Sequence, residues 1–164
     1  MVKRVVQAFC GQGKGKTSAA VGQCIRAASL GKSTIIIQFL KGKDAEELSF
    51  MEKLEPQIKL FRFARSLQNY CDLPDIEKED EKHNLINGFN FAKKVIETGE
   101  CDVLVLDEVL GLVDLGIISK NDLLQLIQAR DDYDRLVLTG YHLPEELIPY
   151  VDVISEIQLI KDNT

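Results

Sequence analysis

A chain of 164 residues and 18.4 kDa is long enough for one domain with a proper core and too short for two ordinary ones, so residues 1–164 are read as a single domain. Its 45% hydrophobic and 28% charged residues, with a mean hydropathy of −0.06, exclude disordered, collagen-like and membrane-spanning classes. The net charge of −6 argues against a nucleic-acid partner.

That total hides an asymmetry. Residues 1–43 carry eight basic side chains and no Asp or Glu, whereas residues 44–164 carry 12 basic and 26 acidic ones. The split points to a small anion bound near the start of the chain. The opening residues lack the apolar stretch and cleavage site of a secretory signal, which makes the cytoplasm the expected compartment. Four scattered cysteines (Cys10, Cys24, Cys71, Cys101) show no metal-ligand spacing and read as small buried thiols.

Residues 5–9 form a β-rich run, a glycine cluster follows, and an Ala-rich helix is predicted from Lys16 to Leu30, stopped by Gly31. Residues 33–40 form a nearly continuous apolar run, as in a strand covered on both faces. A mixed helical segment over 44–54 precedes an alternating strand at 58–63, and residues 64–74 read as a loop. A long helix is predicted from Pro74 to Thr98, its acidic run at 75–82 suiting the positive helix terminus as solvated surface. Residues 103–106 form a fully apolar strand ending in Asp107-Glu108. Ser119 caps a helix with Asp122 three residues on, residues 135–140 form strand five, Pro144-Glu145-Glu146 opens a short helix, and residues 153–160 form a sixth strand. Strands alternate with helices throughout. The expected fold is therefore α/β, a mainly parallel sheet of about six strands with helices on both faces.

The strongest chemical signal is Cys10-Gly11-Gln12-Gly13-Lys14-Gly15-Lys16-Thr17-Ser18, between strand one and helix one. A polyphosphate needs close backbone approach, convergent N–H donors and a cation, and this segment supplies glycines, a helix N-terminus and two lysines. Lys16 is expected on the phosphate oxygens, and the Thr17 hydroxyl on Mg²⁺. The segment departs from the G-x-x-x-x-G-K-[ST] pattern, because Cys10 stands where the first glycine belongs. The apolar strand delivering Asp107 is the second signal, a carboxylate placed to bind Mg²⁺ beside the loop threonine. Ligands in such sheets bind beyond the carboxyl ends of the strands, so Cys10, Lys41, Asp107 and Thr139 are predicted to ring one site. His83 and His142 are unpaired and receive no catalytic role.

Gly11-Gln12-Gly13-Lys14-Gly15-Lys16-Thr17-Ser18-Ala19-Ala20 resembles the variant P-loop of the ATP:corrinoid adenosyltransferases of the CobA/BtuR type, which reads G-x-G-K-G-K-T-[TS]-A-A. Gln38-Phe39-Leu40-Lys41-Gly42, Val105-Leu106-Asp107-Glu108 and Val137-Leu138-Thr139-Gly140 are similar in order and spacing, as are Pro144-Glu145-Glu146-Leu147 and Asp152-Val153-Ile154-Ser155-Glu156. The resemblance implies a RecA-like P-loop NTPase fold, usually a homodimer. It also implies transfer of the 5′-deoxyadenosyl group of ATP to Co(I) of a corrinoid, such as cob(I)alamin or cob(I)yrinic acid a,c-diamide, with release of triphosphate. Nucleotide contacts are then expected from Gly11, Gln12, Gly13, Lys14, Gly15, Lys16, Thr17, Ser18 and Lys41, with Mg²⁺ on Thr17 and Asp107. Lys14, Lys16 and Glu108 are the catalytic candidates, and a reductase is the expected source of Co(I).

Two departures fall on the corrinoid side. Phe61-Arg62-Phe63-Ala64-Arg65-Ser66 stands where the family carries a Gly-x-Gly-Phe-Thr-Trp-like segment, and Thr139-Gly140-Tyr141 stands for its Thr-Gly-Arg. Phe63, Tyr70 and Tyr141 are the aromatic alternatives, with packing the simpler role for each. Two other readings stay open on the sequence: a P-loop ATPase or phosphotransferase using Glu108 to activate water or a hydroxyl, and a non-catalytic nucleotide- or corrinoid-binding paralogue.

Overall fold

The computed structural model describes residues 4–40, 49–129 and 133–164. Six strands, β1 (Val5–Cys10), β2 (Thr34–Gln38), β3 (Ile58–Arg62), β4 (Val103–Asp107), β5 (Arg135–Thr139) and β6 (Val153–Glu156), form one sheet in the order β3-β2-β4-β5-β1-β6. Every pairing is parallel. The glycine-loop strand β1 is thus separated from the Asp107 strand β4 by β5.

Period-two alternation divides the strands between two cores. Phe9, Ile36, Val105 and Val137 face α1 (Lys16–Ser29) through Ala20, Val21, Cys24 and Ala27. Val6, Ala8, Ile35, Ile37, Leu104, Leu106 and Leu138 face the other way, against α2 (Asp75–Thr98), α3 (Val109–Asp114) and α4 (Lys120–Gln128). Burial of both faces explains why β2 and β4 read as apolar runs without alternation.

Local signals account for most helix ends. Gly99 closes α2 in the left-handed conformation (φ 64°), and Ser119 with Asp122 forms a reciprocal capping box on α4. The Asp122 carboxyl lies below its ordinary pKa because the Ser119 backbone N–H donates to it.

The structure corrects several boundaries. β2 ends at Gln38 and not at residue 40, with one last bond beyond it from the Phe39 N–H to the Asp107 carbonyl at 3.1 Å. β6 ends at Glu156 and not at 160, since residues 157–164 turn across the glycine loop. Helix α3 was not expected. The segment over 44–54 is a 3₁₀ helix at Ser49–Leu54, with residues 44–48 outside the described region. The expected loop holds a 3₁₀ turn at Tyr70–Asp72, and the short helix after Pro144 is 3₁₀, Glu145–Tyr150. Cys10 and Cys24 are buried and Cys101 is partly so, but Cys71 is exposed, correcting the reading of all four as buried thiols. Burial pushes the Cys24 and Cys101 thiols up to about 12.

Candidate functional site

Parallel register builds the site as a row across the carboxyl ends of the strands. Arg62 of β3 lies beside Gln38 of β2, and Gln38 beside Asp107 of β4. Next comes β5, whose last residue, Thr139, aligns with Phe9 of β1. Asp107 is fully buried and accepts from three side chains: the hydroxyls of Thr17 and Thr139 donate to Oδ1 at 2.9 and 2.8 Å, and the Gln38 amide to Oδ2 at 3.0 Å. Three donors compensate the burial of an ionised carboxylate and fix its plane.

Thr17 stands in the first turn of α1, so its bond to Asp107 ties the glycine loop to the end of β4. The first N–H groups of that helix have no intrahelical partner, which makes this corner suited to an anion. Lys16 lies over the Tyr141 ring, with Nζ 4.6 Å from the centroid, and donates to the Gly13 carbonyl at 2.7 Å. Glu108 occupies the left-handed region (φ 66°), the one positive-φ non-glycine residue among those described, and its N–H donates to the Thr139 hydroxyl at 2.8 Å. A non-glycine residue held there beside a buried carboxylate marks a strained, over-determined turn.

The shifted glycine pattern also has a physical cause. Cys10 ends β1 in ladder geometry, and the left-handed turn falls on Gly11 (φ 102°), so the glycine is needed one residue later than in the usual motif. Gly11 and Gly13 also accommodate the segment after β6. A Cβ at either position would lie 2.5 or 2.7 Å from Ile157. Their N–H groups donate to the Tyr141 and Ile157 carbonyls at 2.9 and 2.8 Å, so these two amides hold the loop in place and do not point into an anion site.

Residues 11–18 are thus together beside Asp107 and Thr139, but the two expected phosphate lysines differ. Lys16 is half-buried at the loop mouth, whereas Lys14 is largely exposed and ion-paired with Asp162 at 2.6 Å. That pairing, together with bonds from the Thr164 hydroxyl and N–H, holds the Asp162 carboxyl down at about 2. Gln12 and Ser18 are exposed, and Lys41 lies outside the described residues. Phe61 and Phe63 pack on Phe91, with ring centroids at 4.8 and 5.6 Å, so Phe63 is a packing residue. Tyr141, at 61% exposure, lies against Lys16. His142 is exposed, with Nδ1 3.8 Å from Asp114.

Gln38, Arg62, Asp162 and the Lys16–Tyr141 contact were not read as site features from the sequence. A polar residue ending the buried apolar run of β2 was the available signal for Gln38. Arg62 and Asp162 act through partners that depend on strand register and on the path of residues 157–164.

The sequence model of the ATP:corrinoid adenosyltransferase BtuR/CobO/CobP family matches residues 2–164. The chain belongs to this family. Among its relatives, a corrinoid adenosyltransferase of Escherichia coli (strain K12) is 26% identical over 160 residues, covering 96% of this chain and 78% of that protein. The corrinoid adenosyltransferase CobA of Salmonella typhimurium (strain LT2) gives the same identity and coverage. In solved structures, a KaiC-like protein of Pyrococcus horikoshii OT3 superposes with a TM-score of 0.61 at 17% identity, covering 98% of this chain and 74% of that one. That likeness bears on the fold, which is the RecA-like P-loop arrangement expected for the family.

Proposed function

We propose that this chain transfers the 5′-deoxyadenosyl group of ATP to Co(I) of a corrinoid and releases triphosphate, with Lys14, Lys16 and the first amides of α1 binding the leaving group. The observation that carries this reading is the family match over residues 2–164, which includes the doubled-lysine loop. In the transfer, the cobalt electron pair forms the bond to C5′. The C5′–O bond breaks, its electrons leave on triphosphate, and cobalt passes from Co(I) to Co(III). No base is needed, so the protein's tasks are to stabilise a polyanionic leaving group and to align cobalt with C5′.

Lys16 and the first amides of α1 are assigned to the triphosphate. Lys14 joins them by exchanging Asp162 for phosphate. A magnesium ion fits Thr17 and Asp107, because the donor set is hard oxygen on a buried, oriented carboxylate, and one or two protein ligands suffice when phosphates and water complete the shell. Bound there, the ion supplies positive charge to the triphosphate oxygens. Glu108 is assigned to the same corner through its strained turn.

The corrinoid is assigned to the side of the row away from the glycine loop. A polar cleft of about 520 Å³, lined by Arg65, Ser66, Glu77, Asp80, His83 and Asn84, lies next to the end of β3 there. A cytoplasmic homodimer served by a separate reductase completes the proposal. The four free thiols support the reducing compartment, and no helix among the described residues is long and apolar enough to cross a membrane.

The test is product analysis. ATP, Mg²⁺ and chemically reduced cobalamin should yield triphosphate by phosphorus NMR and a light-sensitive adenosylated corrinoid by absorbance. Production of ADP and phosphate alone would contradict the proposal.

A further inference from the structure

The hydrogen-bond line that ends on Asp107 starts two strands away, at a residue with no place in the phosphate loop. Arg62 Nε donates to Gln38 Oε1 at 3.1 Å, and Gln38 Nε2 donates to Asp107 Oδ2 at 3.0 Å. A primary amide has one accepting end and one donating end. Arginine only donates and an ionised carboxylate only accepts, so flanking Gln38 with these two groups leaves one orientation that satisfies both. Gln38 is 1% exposed, and without the guanidinium its Oε1 becomes a buried acceptor with no donor. The side chain must then move to find one, which takes Nε2 away from Asp107.

Arg62 holds this position at a cost. Its Nη2 is the one buried side-chain nitrogen or oxygen with no hydrogen-bond partner among the described residues. An unmet N–H on a charged group is unfavourable, so folding stability alone does not account for a guanidinium there. A local rule broken beside a buried functional carboxylate is more readily explained by the site than by the core.

We propose that Arg62 is a positioning residue for the nucleotide-bound magnesium ion, acting through Gln38 to fix the Asp107 carboxylate. The inference rests on the reading that Asp107 and Thr17 hold that ion. Mg²⁺ tolerates little departure from octahedral geometry, so a carboxylate free to rotate is a poorer partner than one held on both oxygens. Thr17 and Thr139 hold Oδ1, and the Arg62–Gln38 pair holds Oδ2.

The test is calorimetric binding of ATP to the full chain, with Mg²⁺ and with EDTA, for the wild type, Arg62→Met, Arg62→Lys and Gln38→Leu. The wild type should bind ATP more tightly with Mg²⁺. Arg62→Met should lose about 10-fold in the Mg²⁺ arm, the scale seen when an outer partner of a metal ligand is removed, and stay within about 2-fold in EDTA. Arg62→Lys, which still brings a donor to Gln38, should recover part of that loss. Adding Arg62→Met to Gln38→Leu should cost nothing further, since both break the same line. Equal losses in the two arms would mark Arg62 as merely structural and overturn the proposal, as would no loss in either. Should Arg62→Met fail to fold, the Lys and Leu variants decide between the same two outcomes. A wild type that gains nothing from Mg²⁺ would overturn the magnesium reading itself, an outcome distinct from a wild type that gains while Arg62→Met keeps the gain.

Discussion

Thr139 serves two groups at once: its hydroxyl donates to Asp107 and accepts from the Glu108 N–H. Replacing it with isosteric Val keeps the volume but leaves that N–H unmet and Asp107 with one donor fewer. Thr139→Val should therefore lower unfolding stability by about 1–3 kcal/mol in urea denaturation. Asp162 makes a second residue-scale prediction. With Lys14 and the Thr164 hydroxyl and N–H donating to it, its carboxyl should titrate by NMR with a midpoint of about 2, and a midpoint near 3.8 would show that these contacts do not form in solution. The sign follows from a depressed folded pKa: the ion pair contributes fully above the unfolded value and is lost as pH falls through about 2. Removing the competing carboxylate by Asp162→Asn should tighten binding of inorganic triphosphate by about 2- to 5-fold at low salt. At this scale the sequence exposed residues that belong to a contiguous motif, Gly11 to Ser18, and the acid ending an apolar strand, Asp107. It did not expose Arg62 or Asp162, whose partners are brought near only by strand register and chain path.

Secondary-structure elements with local signals were legible and those without were not. The capping box of α4 is written in Ser119 and Asp122, and Gly99 writes the end of α2. Ser119→Ala should cost about 1 kcal/mol of stability. The part owed to the Asp122 carboxylate should be present above its ordinary pKa of 3.8 and fade as pH falls through its lowered folded value, a trend measurable by denaturation at successive pH values. Helix α3 left no comparable trace, because six residues make fewer than two turns, too short for a helical pattern to show, and its start is the left-handed Glu108. That turn can be probed with two variants that remove the same side chain. Glu108→Gly should be more stable than Glu108→Ala by about 1 kcal/mol, since only alanine keeps the left-handed strain. Strand β6 ended early for a tertiary reason: residues past Glu156 bond to the glycine loop through the Ile157 N–H to Cys10 and the Ile157 carbonyl to Gly13, at 2.8 Å each.

Across the whole molecule, alternation of strand and helix was enough to anticipate a parallel sheet covered on both faces, but not the order β3-β2-β4-β5-β1-β6. That order matters for the site. Placing β5 between β1 and β4 sets Thr139 beside Thr17 of the loop helix on one oxygen of Asp107, and placing β2 and β3 on the far side of Asp107 brings Gln38 and Arg62 to its other oxygen. The charge split follows the same plan, with Lys14 and Lys16 at the end of β1 and Asp107 buried among donors. Whether the bond broken is C5′–O, as proposed, or a phosphorus–oxygen bond can be read from one atom. With ATP carrying ¹⁸O at the bridge between C5′ and the α-phosphorus, and with reduced corrinoid as acceptor, all of the ¹⁸O should leave in triphosphate. Retention of the ¹⁸O in a nucleotide product would contradict transfer from C5′.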